Sequence, residues 1–144
     1  MATIRITSYG TGHHDAPTAA NPVVVDTTSL HNPPDDPAVR ATLTRLTGRH
    51  PDVAAYVLAT PGAHDLITTA RRAVEQRIAS GEQHIDVHVH CYGGRHRSVA
   101  VAELLAAGLS VLDDYVHTHH RHINHPILPS RTPAAAPWGN EPPF

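Results

Sequence analysis

His84-Ile85-Asp86-Val87-His88-Val89-His90-Cys91-Tyr92-Gly93-Gly94-Arg95-His96-Arg97-Ser98-Val99 is the stretch that decides the fold. Its first residues alternate. Ile85, Val87 and Val89 share one face, while Asp86, His88 and His90 take the other, which is the period of a half-buried strand. After the glycines the period changes. Val99, Val101, Leu104 and Leu105 recur at helical spacing over Arg97–Ala107, with Gly108 as the stop. The segment therefore reads as strand, tight turn, helix. Gly93 and Gly94 let the backbone turn sharply and present its N–H groups inward. The helix aims its positive end into the same space. Arg95 and Arg97 add guanidinium forks, and Ser98 adds a hydroxyl. The loop Cys91–Ser98 is expected to bind a phosphate group, held also by Arg97. On that reading Arg97→Ala weakens a phosphorylated ligand roughly ten- to a hundredfold and barely touches the fold.

Outward from this unit, strand and helix signals alternate. Thr3–Ser8, Val23–Asp26 and Tyr115–His122 read as strands, and Tyr9–Pro22 and Thr27–Pro34 as loops. Asp35 or Asp36 is placed to cap a helix carrying Pro37, Val39, Leu43 and Leu46, with Gly48 as its end. Asp52–Ala59 and Ala63–Ser80 are further helices, the second with Leu66, Ile67, Ala70 and Val74 inward. The pattern implies an α/β fold: a central, mostly parallel sheet, flanking helices and a phosphate-binding strand-loop-helix. Ligands of such folds sit beyond the carboxyl ends of the strands. The loops Tyr9–Ala16, Thr27–Pro34 and Cys91–His96 are expected to converge there. Residues 1–128 are read as one domain. Residues 129–144, with Pro129, Pro133, Pro137, Pro142 and Pro143, are read as a disordered tail in which Trp138 and Phe144 need no function.

Composition narrows the function classes. A formal charge of −2 argues against a broad nucleic-acid surface. All eleven basic residues are Arg, a bias that reads as genome composition. A single Cys forbids an internal disulfide. No apolar run approaches a membrane span and no signal peptide is recognisable, so a soluble, cytoplasmic protein without membrane contact is expected.

Two resemblances meet at the loop. His90-Cys91, five residues, then Arg97-Ser98 resembles the signature of cysteine-dependent protein tyrosine phosphatases. That resemblance implies Cys91 as nucleophile and Arg97 as phosphate clamp, with Asp15 and Asp35 as general-acid candidates by position only. Val99 stands where many of those enzymes carry Gly.

The broader resemblance is to the C-terminal domain of the RNase adapter protein RapZ family. It runs through Ser8-Tyr9-Gly10, Asp26, Leu30-His31-Asn32-Pro33, Leu46-Thr47-Gly48, the loop itself with Val99, Ala102-Glu103, and His120-Arg121, in order, over most of the chain. It implies a sensor domain for a phosphorylated metabolite, glucosamine-6-phosphate in the best-known member, in a family whose domain also binds small RNA. It implies a ligand site made of Cys91, Tyr92, Gly93, Gly94, Arg95, His96, Arg97 and Ser98 together with Tyr9, Gly10, Asn32, His120 and Arg121. The sequence departs from the family in three places. It has no counterpart of the N-terminal kinase-like domain, so a stand-alone version is expected. The family's Arg after the second-strand Asp is replaced in the Thr27-Thr28 region. Asn124-His125-Pro126-Ile127 stands where a basic, RNA-binding tail would be, so weak RNA binding at physiological salt is expected.

Three functions stay open on the sequence: a phosphosugar or nucleotide sensor or adaptor, a Cys91-dependent phosphatase, and an RNA-binding module, with RNA or protein partners implied only by the resemblance. A thiol pointing into the anion cradle favours catalysis, and one packed under the helix favours sensing. No cofactor is called for. Fourteen His include His88 and His90 on one strand, His117 and His119 on another, and the crowded run His119, His120, His122, His125. With no HExxH and one Cys, adventitious metal binding is expected rather than a native site. His96, between two Arg, is expected to contact the ligand, though a loop-fixing backbone hydrogen bond is the alternative.

Overall fold

The computed structural model describes residues 1–30, 37–111 and 114–129. The tail from residue 130, the segment His31–Pro34 with Asn32, and Asp35 and Asp36 lie outside the described residues.

The strands are β1 (Thr3–Gly10), β2 (Val23–Asp26), β3 (His84–Cys91) and β4 (Tyr115–His120). The helices are α1 (Pro37–Arg45), α2 (Pro51–Leu58), α3 (Ala63–Ala79) and α4 (Arg97–Leu109). The strands form one parallel sheet in the order β2-β3-β1-β4. The fold is α/β, as the sequence implies. Alternation decides which face is dry. Ile4, Ile6, Val23, Val25, Ile85, Val87 and Val89 are buried against Val53 and Val57 of α2, Ala70 and Val74 of α3, and Val101, Leu105 and Leu109 of α4. Burying each such Val, Ile or Leu is worth about 1.5–3 kcal/mol. The other face carries Arg5, Thr7 and Tyr9 beside Asp86, His88 and His90. Among the described residues no helix is long and apolar enough to cross a membrane.

Several boundaries differ from the sequence reading, three of them for reasons visible in the packing. β1 runs on to Gly10, because Tyr9 and Gly10 pair with His90 and Cys91. β4 stops at His120, because Arg121 and His122 turn toward Asp15. α4 passes through Gly108 to Leu109, whose full burial extends the last turn.

Candidate functional site

β1 and β3 end side by side, and the connection that leaves β3 is the 92–96 turn into α4. Gly94 adopts φ +74°, the left-handed region that glycine tolerates. It packs directly on β1: a Cβ at Gly94 would lie 2.6 Å from the Gly10 nitrogen, and a Cβ at Gly10 would lie 2.5 Å from the Gly93 carbonyl carbon. Both glycines are therefore required by close approach. A third closes over the start of α4. A Cβ at Gly48 would lie 2.3 Å from the His96 oxygen and 2.5 Å from the Ala100 nitrogen.

The hydrogen bonds of the turn are polarised. The His90 carbonyl accepts from the Thr27 N–H at 2.9 Å and from the Thr27 hydroxyl at 2.8 Å. The Tyr92 carbonyl accepts from the Gly12 N–H at 2.9 Å, and the Gly93 carbonyl from His13 Nε2 at 3.1 Å. The Arg95 carbonyl accepts from the Gly48 N–H at 2.8 Å, and the His96 carbonyl from the Ala100 N–H at 2.9 Å. By contrast, the N–H groups of Gly93, Arg95, Ser98 and Val99 donate to no partner among the described residues. The last two belong to the first turn of α4, whose donors have no intrahelical acceptor. Amides left over in a turn whose carbonyls are mostly engaged are the arrangement that suits an anion.

The side chains build this loop. Arg97 is 1% exposed, and its NH1 donates to the carbonyls of Thr28 at 3.0 Å and Leu30 at 3.3 Å. The expectation that Arg97→Ala leaves the fold untouched is therefore corrected: a buried guanidinium ties the loop after β2 to α4. Arg95 NH1 donates to the carbonyls of Ile123 at 2.9 Å and His125 at 3.0 Å. His96 is buried with Nε2 3.2 Å from the Thr44 carbonyl, the loop-fixing arrangement. Cys91 is buried, its thiol 3.1 Å from the Ser98 hydroxyl, and its sulfur accepts from the Gly94 N–H at 3.2 Å. The Tyr92 hydroxyl donates to the Pro129 carbonyl at 3.3 Å.

The flanking residues divide between the two sheet faces. Tyr9 lies on the helix-free face, its ring 5.5 Å from that of His90. Burial, then the Asp26 charge, raises its hydroxyl pKa. Burial also acts to raise the Asp26 carboxyl, but hydrogen bonds from Thr28 and the charges of His90 and Arg97 outweigh it, and the net shift is downward. On the helix face, His120 lies between the Ser8 hydroxyl at 2.6 Å and Glu103 at 2.7 Å. This resembles a Ser-His-carboxylate relay, but Ser8 is 0% exposed and no substrate reaches it. The relay ties β1, β4 and α4 together.

Arg121 grips Asp15 with Nε at 3.0 Å and NH2 at 2.8 Å, while His122 Nε2 stands 3.2 Å from the same carboxylate. The hydrogen bonds from Arg121 and His122 hold the Asp15 pKa at about 2. A carboxylate so held has no proton to give at neutral pH, which removes Asp15 as a general acid. His122 is buried and accepts the Gly10 N–H on Nδ1 at 2.9 Å. Its Nε2 then carries the proton toward Asp15, fixing the neutral tautomer. Burial lowers its pKa, and the neighbouring His13 and His125 act the same way against the pull of Asp15. The rings of His13 and His125 stand 4.4 and 4.8 Å from it.

The structure thus brings Gly10 and the whole 91–98 segment together, with Arg121 and His120 behind it. Gly12, His13, Thr27 and His122 were not singled out as site residues. Their signal is weak in sequence, because each acts through hydrogen bonds to partners far away in the chain.

Comparison with known proteins finds relatives over most of this region. A nucleotide-binding protein of Mycobacteroides abscessus is 42% identical over 80 residues, 52% of this chain and 27% of the relative. Nucleotide-binding proteins of Deinococcus radiodurans and Thermus thermophilus are each 41% identical, over 72% and 74% of this chain and 36% and 38% of theirs. The chain spans about a third of the length of these curated relatives. The sequence pattern of the RapZ C-terminal domain matches residues 2–124, so the strand-loop-helix and its supporting turns lie within the match, and the chain belongs to the RapZ C-terminal domain family.

Proposed function

We propose that this chain binds the phosphate of a small phosphorylated metabolite, a phosphosugar or a nucleotide, at the 91–99 loop, and acts as a sensor or adaptor in the cytoplasm. One observation carries the reading. The carbonyls of Tyr92, Gly93, Arg95 and His96 are engaged by neighbours, while the N–H groups of Gly93, Arg95, Ser98 and Val99 are left for an acceptor that the described chain does not supply. The names of the relatives, nucleotide-binding proteins, agree with it. A phosphatase is disfavoured. The thiol of Cys91 is buried beneath the first turn of α4, Arg97 NH1 faces loop carbonyls, and Asp15 stays ionised. On this reading residues 1–128 form the binding domain, and RNA or a protein is the downstream partner of an adaptor rather than the ligand of the loop.

The test is a backbone amide titration with glucosamine-6-phosphate, AMP, inorganic phosphate and unphosphorylated glucosamine, with thermal unfolding in parallel. The phosphorylated compounds are expected to move the amides of Gly93, Arg95, Ser98 and Val99. At a hundredfold excess over Kd the bound ligand stabilises by about 2.7 kcal/mol. If none of the phosphorylated compounds moves these amides, or if glucosamine moves them equally, the assignment fails.

A further inference from the structure

The helix-free face of the sheet holds a groove of about 720 Å³. That is within the range of about 300–1,000 Å³ of small-molecule sites. Two rows of side chains, set by the strand register, line it. Asp86, Arg5 and His117 lie side by side across β3, β1 and β4, and one step along the strands come His88, Thr7 and His119. Neighbouring strands lie about 4.8 Å apart, so each row is a tight ladder of polar groups. Segment 16–18 and Arg121 form the rim.

Several polar side chains here make no hydrogen bond among the described residues. Arg5 and Asp86 are register partners of opposite charge, yet among the described residues neither side chain forms a hydrogen bond or an ion pair. Thr7 and His88 are buried, and neither uses its side chain in a hydrogen bond among the described residues. Arg121 adds no net charge, because Asp15 grips it. Besides its imidazoles, the groove offers the Arg5 guanidinium beside the Asp86 carboxylate. A doubly charged phosphate is poorly matched to this balance, since Asp86 repels it. A molecule carrying both a carboxylate and an ammonium is matched on both ends.

We infer that this sheet-face groove is a second binding site, for a small zwitterion of the amino-acid class, with Arg5 receiving the carboxylate and Asp86 the ammonium. It is separate from the phosphate loop and does not depend on that assignment. The Thr7 hydroxyl and the imidazoles of His88 and His119 supply the remaining donors and acceptors along the floor.

The test uses the full chain and a panel of probes: each common amino acid, dialanine, and the N-acetylated and carboxamide forms of any that bind. Amide and imidazole resonances of Arg5, Thr7, His88 and His119 are followed by NMR. At least one zwitterion is expected to shift them saturably, and blocking either its amine or its carboxylate should weaken binding about tenfold or more, as should Arg5→Ala or Asp86→Asn. Thermal unfolding checks that both variants fold. Phosphate-induced shifts at Gly93 and Ser98 should be the same in Arg5→Ala as in the parent chain, which separates the two sites. The inference is overturned if no zwitterion saturates the groove, if blocked forms bind as well as free ones, or if a short single-stranded oligonucleotide moves these resonances while the zwitterions do not.

Discussion

Replacing Arg97 by Ala should cost this fold about 4–5 kcal/mol. Arg97 opens α4 and is among the largest fully buried side chains. Its NH1 donates to the Thr28 carbonyl at 3.0 Å and to the Leu30 carbonyl at 3.3 Å. A hydrogen bond from a charged donor contributes about 1.5–3 kcal/mol, and the longer of these two belongs at the lower end. The vacated volume adds about 1 kcal/mol. For a domain of this size each kcal/mol moves Tm by roughly 2–4 °C, so the melting point should fall on the order of 10 °C. Urea unfolding followed by circular dichroism reads the effect as a lower midpoint at unchanged slope. Arg97→Lys, with a single ammonium for two carbonyls, should recover only part of the loss. A cost below about 1 kcal/mol would refute the reasoning. The guanidinium would then be facing solvent or ligand, and the phosphatase-like clamp would regain its support.

Gly48→Ala should destabilise far more than Gly81→Ala. A Cβ at Gly48 meets backbone at 2.3 Å, whereas at Gly81 nothing lies within 4 Å and only the φ of +94° is unfavourable, worth about 1–2 kcal/mol. Equal losses in chemical denaturation would contradict the packing of Gly48 on α4. The pKa of His122 is lowered below 6.5 and that of Asp15 lies at about 2 instead of 3.8. Both folded values are depressed, so the stability they contribute is complete above the unfolded values and is lost as pH falls, first below 6.5 and again from 3.8 toward 2. His122→Asn keeps an acceptor near Gly10 and should flatten the upper step in a pH series of unfolding midpoints; an unchanged step would assign it to other histidines. Cys91→Ser should hold phosphate affinity within about threefold, because a hydroxyl serves both Gly94 and Ser98. A loss of more than about tenfold by calorimetry would put the thiol in contact with the ligand.

Local pattern alone was enough for the strand-loop-helix. The alternation of Ile85, Val87 and Val89 and the helical spacing after Arg97 act over a few residues, and the double glycine between them leaves no other continuation. The same is true of the core face of β1, and the dispersed motifs from Ser8 to Arg121 carried the family; the run Val23-Val24-Val25 reads as a buried strand, whereas Val24 is exposed and only Val23 and Val25 face the core. The roles of the polar side chains depended on partners distant in the chain. Arg95, His96 and Arg97 read as three groups aimed at a ligand. Tertiary packing sends them to carbonyls of residues 123 and 125, 44, and 28 and 30, because a buried polar side chain must be satisfied by whatever the fold sets beside it. Gly48 read as a helix stop, and only the approach of α4 shows that no larger residue fits there. The sheet order β2-β3-β1-β4 places Arg5 beside Asp86 and Thr7 beside His88 and His119. Strand order is a matter of pairings between segments distant in the chain, so this groove existed only once the chain had folded.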